Sequence, residues 1–88
     1  MASTTVAVGS SIGLHARPAG IIADAVTELG ADVTLALVGD DDEEPVDAGS
    51  ALMIMTLGAT FGDEVIVSSD DPAALEAVVK LVEADLDA

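Results

Sequence analysis

Apolar residues recur along this chain with two alternating periods, and each change of period marks a boundary between elements. In TTVAV, residues 4–8, valine returns at every second position, the spacing of a half-buried strand, and Gly9-Ser10-Ser11 breaks the run. After Pro18 the interval lengthens. Ala19, Ile22, Ala23, Val26 and Leu29 lie three and four residues apart, which predicts a helix stopped by Gly30. DVTLALVG, residues 32–39, returns to alternation and puts Val33, Leu35 and Leu37 on one face of a second strand. Residues 44–48 fit a short third strand, and Pro45 suits it to a sheet edge. Ser50 can cap a short helix running to Leu57, with Gly58 as its stop, and DEVIVSS, residues 63–69, is a fourth strand. Asp70-Asp71-Pro72 is a helix start, with acid caps ahead of a proline in the first turn. Leu75, Val78, Val79, Val82 and Leu86 then form one apolar stripe, with Glu76 and Lys80 paired on the outer side.

The order is therefore strand, helix, strand, strand, helix, strand, helix. Half-buried strands and amphipathic helices satisfy each other in a two-layer α+β sandwich, an antiparallel sheet covered on one face. The 88 residues leave no room for a second core, so residues 1–88 read as one domain. Such a chain buries only about 60–65% of its unfolded surface and gains modest stability. Phe61 is the only aromatic, so the core must be aliphatic. There is no cysteine, which excludes disulfides and thiolate metal sites.

Charge narrows the function. Seventeen acids against two basic residues give a formal charge of −15, which argues against nucleic acid and anionic membrane surfaces as partners. MASTTVAVG lacks the cationic start of a signal peptide, and no apolar run approaches the ~18 residues of a membrane span. A soluble cytoplasmic protein without membrane insertion is expected. So acidic and lysine-poor a surface also suits a salt-loving host.

Against that background GLHARPAG stands out, because the only histidine, His15, and the only arginine, Arg17, are two residues apart. Pro18 presets φ for a first helical turn and puts His15 at or just before a helix N-terminus. The backbone N–H groups of Ala16 and Arg17 then lack intrahelical acceptors and carry the positive end of the helix dipole, a ready anion site. Gly13 allows a tight approach, and Arg17 adds a guanidinium matched to phosphate. Imidazole at neutral pH is a competent nucleophile. An exposed histidine ahead of a helix is often incidental; in a chain with so few cations, an arginine kept beside it favours function. With one histidine, neither a catalytic triad nor a histidine metal cluster competes, and no metal or cofactor is expected.

GLHARPAG, followed by SALMIMTLGA and GDEVIVSSDD, resembles the HPr family, phosphocarriers of the bacterial-type sugar phosphotransferase system, over essentially the whole chain. G-L-H-x-R-P is a specific motif, and the serine-to-TLG segment supports it independently. The resemblance implies an open-faced sandwich of four antiparallel strands with three helices on one face. It implies that His15 accepts a phosphoryl group on its δ nitrogen from phosphorylated enzyme I and passes it to a IIA component. It gives Arg17 the role of stabilising the phosphate and Pro18 that of starting the helix. Two departures matter: Ile12 stands where many members have asparagine, and the lysines that commonly ring the docking face are missing.

The second helix has scarcely a polar side. Ile54 and Leu57 are expected in the core, whereas Ala51, Leu52, Met53 and Met55 should leave an exposed apolar patch for partners. Ser50 aligns with a serine that a kinase phosphorylates in some members; its capping role is explanation enough without that. The acid run at residues 40–44 lacks the spacing of a calcium loop and reads as a solvated turn. Two rival functions remain. One is a regulatory binding module of the same fold acting through Ser50 and the adjacent apolar helix. The other is an acyl carrier protein, which four strands and the absence of a D-S-L-like site disfavour. The carrier reading implies enzyme I and a IIA protein as partners, and a monomer.

Overall fold

The computed structural model describes residues 2–11, 13–39 and 45–84, and the acid run at 40–44 lies outside them, as do Ile12 and Leu86. Strand β1 is Ala2–Ala7, β2 Val33–Leu37, β3 Val46–Asp47 and β4 Glu64–Ser69; helix α1 is Ala16–Leu29, α2 Ala51–Thr56 and α3 Pro72–Glu83. The element order is the one that the two periodicities predict. The strands form one antiparallel sheet in the order β1-β4-β2-β3, so β4, last in sequence, lies inside the sheet between β1 and β2.

The register explains the alternation. Val6 faces Val65 across β1 and β4, and Leu35 faces Val67 across β2 and β4, so their side chains form one inward layer. On β2 the expected face is buried at Val33 and Leu35 and half-buried at Leu37. The helices supply the second layer, Ile22 and Val26 from α1, Ile54 from α2, and Leu75, Val78 and Val82 from α3. The core contains no aromatic side chain; Phe61 is exposed. Burying each large aliphatic residue contributes roughly 1.5–3 kcal/mol, so many small increments must offset the chain entropy.

Helix ends follow the capping residues. α1 closes on Gly30 in the left-handed conformation, φ 66°, whose N–H bonds to Val26 O and Thr27 O. Asp71 Oδ1 accepts from Ala73 N–H at 3.0 Å and Ala74 N–H at 3.4 Å and starts α3, with Pro72 following. The Glu76–Lys80 pair forms at 3.2 Å on the outer side, well exposed, and contributes little. One residue of the α1 stripe departs from expectation. Leu29 is exposed because it is the last helical residue before the reversal at Gly30, and Ala31 packs against the core after the turn.

Candidate functional site

His15 is the N-cap of α1, with extended backbone (φ −80°, ψ −172°), and its carbonyl accepts from Ala19 N–H at 2.9 Å. Its imidazole makes no capping hydrogen bond, so the ring is not committed to the helix it precedes. Ala16 and Arg17 are the first two helical residues, and Pro18 is the third, one place later in the turn than proline's commonest position. The lack of an N–H costs nothing there, since the third N–H of a helix has no intrahelical acceptor either. Two donors remain at the terminus, from Ala16 and Arg17. No acidic residue lies in the first turn of α1, despite the seventeen in the chain.

Burial holds this triplet out to solvent. His15, Ala16 and Arg17 are exposed, whereas Gly13 and Leu14 before them and Pro18 and Ala19 behind them are buried. Leu14 sits in the core and Pro18 is fully enclosed, so the backbone is anchored on both sides of an exposed imidazole and guanidinium. The described residues enclose no pocket, and no three of their His, Asp or Glu side chains converge. His15 and Arg17 lie on an open stretch of surface rather than in a cleft.

Gly13 makes a close backbone approach within the fold. Its φ is +79°, and a Cβ there would lie 2.5 Å from Ala59 O and 2.9 Å from the Thr60 Cα. Leu14 N–H donates to Ala59 O at 3.0 Å, which ties the histidine segment to residues 59–63. Asp63 Oδ2 closes that turn by accepting from Thr60 N–H at 3.0 Å and from its hydroxyl at 2.9 Å. These two bonds, the backbone one first, lower the Asp63 pKa below its ordinary 3.8. Sequence reasoning missed this clasp, although the T-x-x-D spacing was a signal for it. The GLHARPAG and TLGA segments are in contact, through Gly13 and Leu14 against Ala59.

On α2, Ser50 Oγ accepts from Met53 N–H at 3.4 Å, a long cap bond, and Asp47 Oδ1 accepts from Gly49 N–H at 2.8 Å just before it. Ile54 is buried and Leu57 half-buried against the core, as expected. Leu52 is 69% exposed, Met53 41% and Met55 37%, while Ala51 is half-buried. Apolar surface thus remains on a helix that packs against α1, the helix that carries the histidine. Phe61 (64%) and Ile21 (38%) are exposed as well. Sequence patterning did not single these two out, though the turn residues flanking Phe61, Thr60 and Gly62, were a cue.

The comparisons agree with this architecture. The chain belongs to the PTS-HPr family, described as the PTS HPr component phosphorylation site, which matches residues 2–84. It is an HPr-type phosphocarrier of the phosphotransferase system. The phosphocarrier protein HPr of Streptomyces coelicolor is 46% identical over 85 residues, covering 93% of this chain and 88% of that protein. Among solved structures, HPr-C-His from Thermoanaerobacter tengcongensis superposes with a TM-score of 0.83 at 28% identity, covering 100% of this chain and 98% of the other. A phosphocarrier protein HPr from Bacillus anthracis gives 0.79 at 27% identity, covering 92% and 95%. The sandwich is the HPr fold. No helix among the described residues is long and apolar enough to cross a membrane.

Proposed function

We propose that His15 is the phosphoryl acceptor, receiving its group from phosphorylated enzyme I and passing it to a IIA-type acceptor protein. The observation that carries this reading is the exposed His15 at the N-cap of α1, its imidazole uncommitted to capping, with Arg17 also exposed two residues on in the first turn. In the transfer from enzyme I the lone pair of the ring δ nitrogen attacks phosphorus and a nitrogen–phosphorus bond forms. The bond from phosphorus to the donor breaks, and its electron pair leaves with the donor. Passing the group to the IIA protein is the same displacement with His15 as the leaving group. The N–H groups of Ala16 and Arg17 and the Arg17 side chain stabilise the phosphoryl oxygens in both directions. Gly13 and Pro18 shape the backbone that holds the ring.

Docking uses Ala51, Leu52, Met53 and Met55 of α2. Apolar contact suits a chain that has Lys80 and Arg17 as its only cations, because it does not depend on electrostatic attraction. The proposed setting is the cytoplasm, and the proposed species a monomer that works as a carrier with no turnover of its own. Ser50 serves as a cap, and a phosphate there would be a regulatory mark rather than the transferred group. Incubation with enzyme I and phosphoenolpyruvate tests the reading: wild type gains an acid-labile phosphate and His15→Ala gains none. A wild type that stays unmodified would favour the regulatory module instead.

A further inference from the structure

The turn Gly9-Ser10-Ser11 marks the end of a strand in the sequence, and in the fold it has a second task. α3 ends against it. Gly9 N–H donates to Val82 O at 3.0 Å and Ser10 Oγ to Ala84 O at 3.4 Å, so this turn takes up carbonyls at the C-terminal end of α3. Ser10 is fully buried although polar, as a hydroxyl in this position should be. On its other side the turn continues into the histidine segment, where Ser10 O accepts from Gly13 N–H at 2.9 Å. Gly13 is itself pressed against Ala59 and Thr60, and Leu14 is hydrogen-bonded to Ala59. His15 follows directly.

The requirement for glycine at position 9 is one of space. Its φ lies outside the left-handed region. A Cβ built there would lie 1.8 Å from Glu83 O and 2.5 Å from the Glu83 carbonyl carbon. Both atoms are backbone and cannot rotate aside. To regain ordinary contact of about 3.5 Å, the turn and the helix end would have to part by more than 1 Å. Gly13 is bonded to the turn, so a shift of the turn is passed to the backbone that carries the imidazole.

We infer that Gly9 is a positioning residue for the phosphoryl acceptor: by letting the end of α3 seat against the β1–α1 turn, it sets where His15 stands relative to the N-terminus of α1. This rests on the reading of His15 as acceptor and adds to it a determinant remote from the reacting atoms. Transfer between two proteins is sensitive to such placement, since a misplacement of about 1 Å can cost on the order of 100-fold in rate. The docking residues of α2 are not part of the strut, so affinity for the donor should be spared.

The test is Gly9→Ala, with Ser10→Ala as the milder variant that removes the hydroxyl and adds no bulk. In steady-state phosphorylation by enzyme I, Gly9→Ala is expected to lower the maximal rate roughly tenfold with little change in apparent KM for the carrier. Ser10→Ala should change in the same direction by less. In proton–nitrogen NMR of the unphosphorylated proteins, the His15 ring and the amides of residues 13–17 should shift, while those of residues 51–57 hold. A folded Gly9→Ala protein with a wild-type rate and an unmoved His15 ring would overturn the inference, as would a loss confined to KM. If Gly9→Ala does not fold, a Ser10→Ala protein with unchanged rate and ring resonances overturns it equally. The NMR arm requires no phosphate, so failure of the acceptor reading, seen as no acid-labile phosphate on wild type, is separable from failure of the strut.

Discussion

At the scale of single residues, the histidine segment is shaped by contacts that neither its composition nor its periodicity announces. GLHARPAG made His15 and Arg17 legible because scarcity and spacing are properties of sequence. The partner of Gly13 was not legible, because Ala59 and Thr60 are far along the chain and only the fold brings them within 3 Å of a hypothetical Cβ. The Asp63 clasp supporting that contact has a measurable signature. The Thr60 N–H, and after it the hydroxyl, favour the ionised carboxylate, so the folded pKa lies below 3.8. A group depressed in this way contributes stability above its unfolded pKa and loses it as pH falls through the folded value. Side-chain NMR should find Asp63 titrating below 3.8 in wild type and moving back toward 3.8, without reaching it, in Thr60→Val, which keeps the stronger backbone bond. A wild-type Asp63 that titrates at 3.8 or above would contradict the clasp.

At the scale of elements, periodicity and capping residues carried most of the information. Every strand and helix lies where the change of period puts it, and Gly30, Ser50 and Asp71 stand at the ends they predict. The errors fall at the boundaries. β1 begins earlier than its valines suggest, because edge pairing with β4 extends through small polar residues that bury little. Leu29 follows the helical spacing and still escapes the core, since periodicity does not show where a helix runs past its support. The caps differ in geometry, and so should their energies. Asp71 accepts at 3.0 and 3.4 Å and starts the twelve-residue α3, while Ser50 makes one bond of 3.4 Å for the six-residue α2. Asp71→Ala should cost about 1 kcal/mol and Ser50→Ala a few tenths, by urea denaturation. Equal costs, or the reverse order, would show that cap geometry does not control these helix ends.

At the scale of the whole molecule, the formal charge of −15 is set against a core of small aliphatic side chains. Glu76 pairs with Lys80, and the pair is exposed. An excess of negative charge so large, carried on a body measuring 30 × 27 × 19 Å, is self-repelling. Between about 0.1 M and 1 M salt the screening length falls from ~10 Å to ~3 Å, so most of that repulsion should disappear. The urea midpoint should therefore climb steadily as sodium chloride is raised toward 1 M, and a midpoint that is flat or falls would contradict a repulsion-limited fold. The same charge is the reason for proposing apolar rather than electrostatic docking. That Leu52, Met53 and Met55 would be exposed was readable in the sequence, because a one-turn-and-a-half helix with scarcely a polar side cannot be buried all round.

The most direct measurement concerns the ring itself. After phosphorylation by enzyme I with phosphoenolpyruvate, nitrogen–phosphorus couplings in labelled protein report which atom carries the group. The expected result is a single phosphoryl group on Nδ1 of His15, labile to acid and absent from His15→Ala. Phosphate found on Ser50 Oγ, on the other ring nitrogen, or nowhere on the chain would contradict the account.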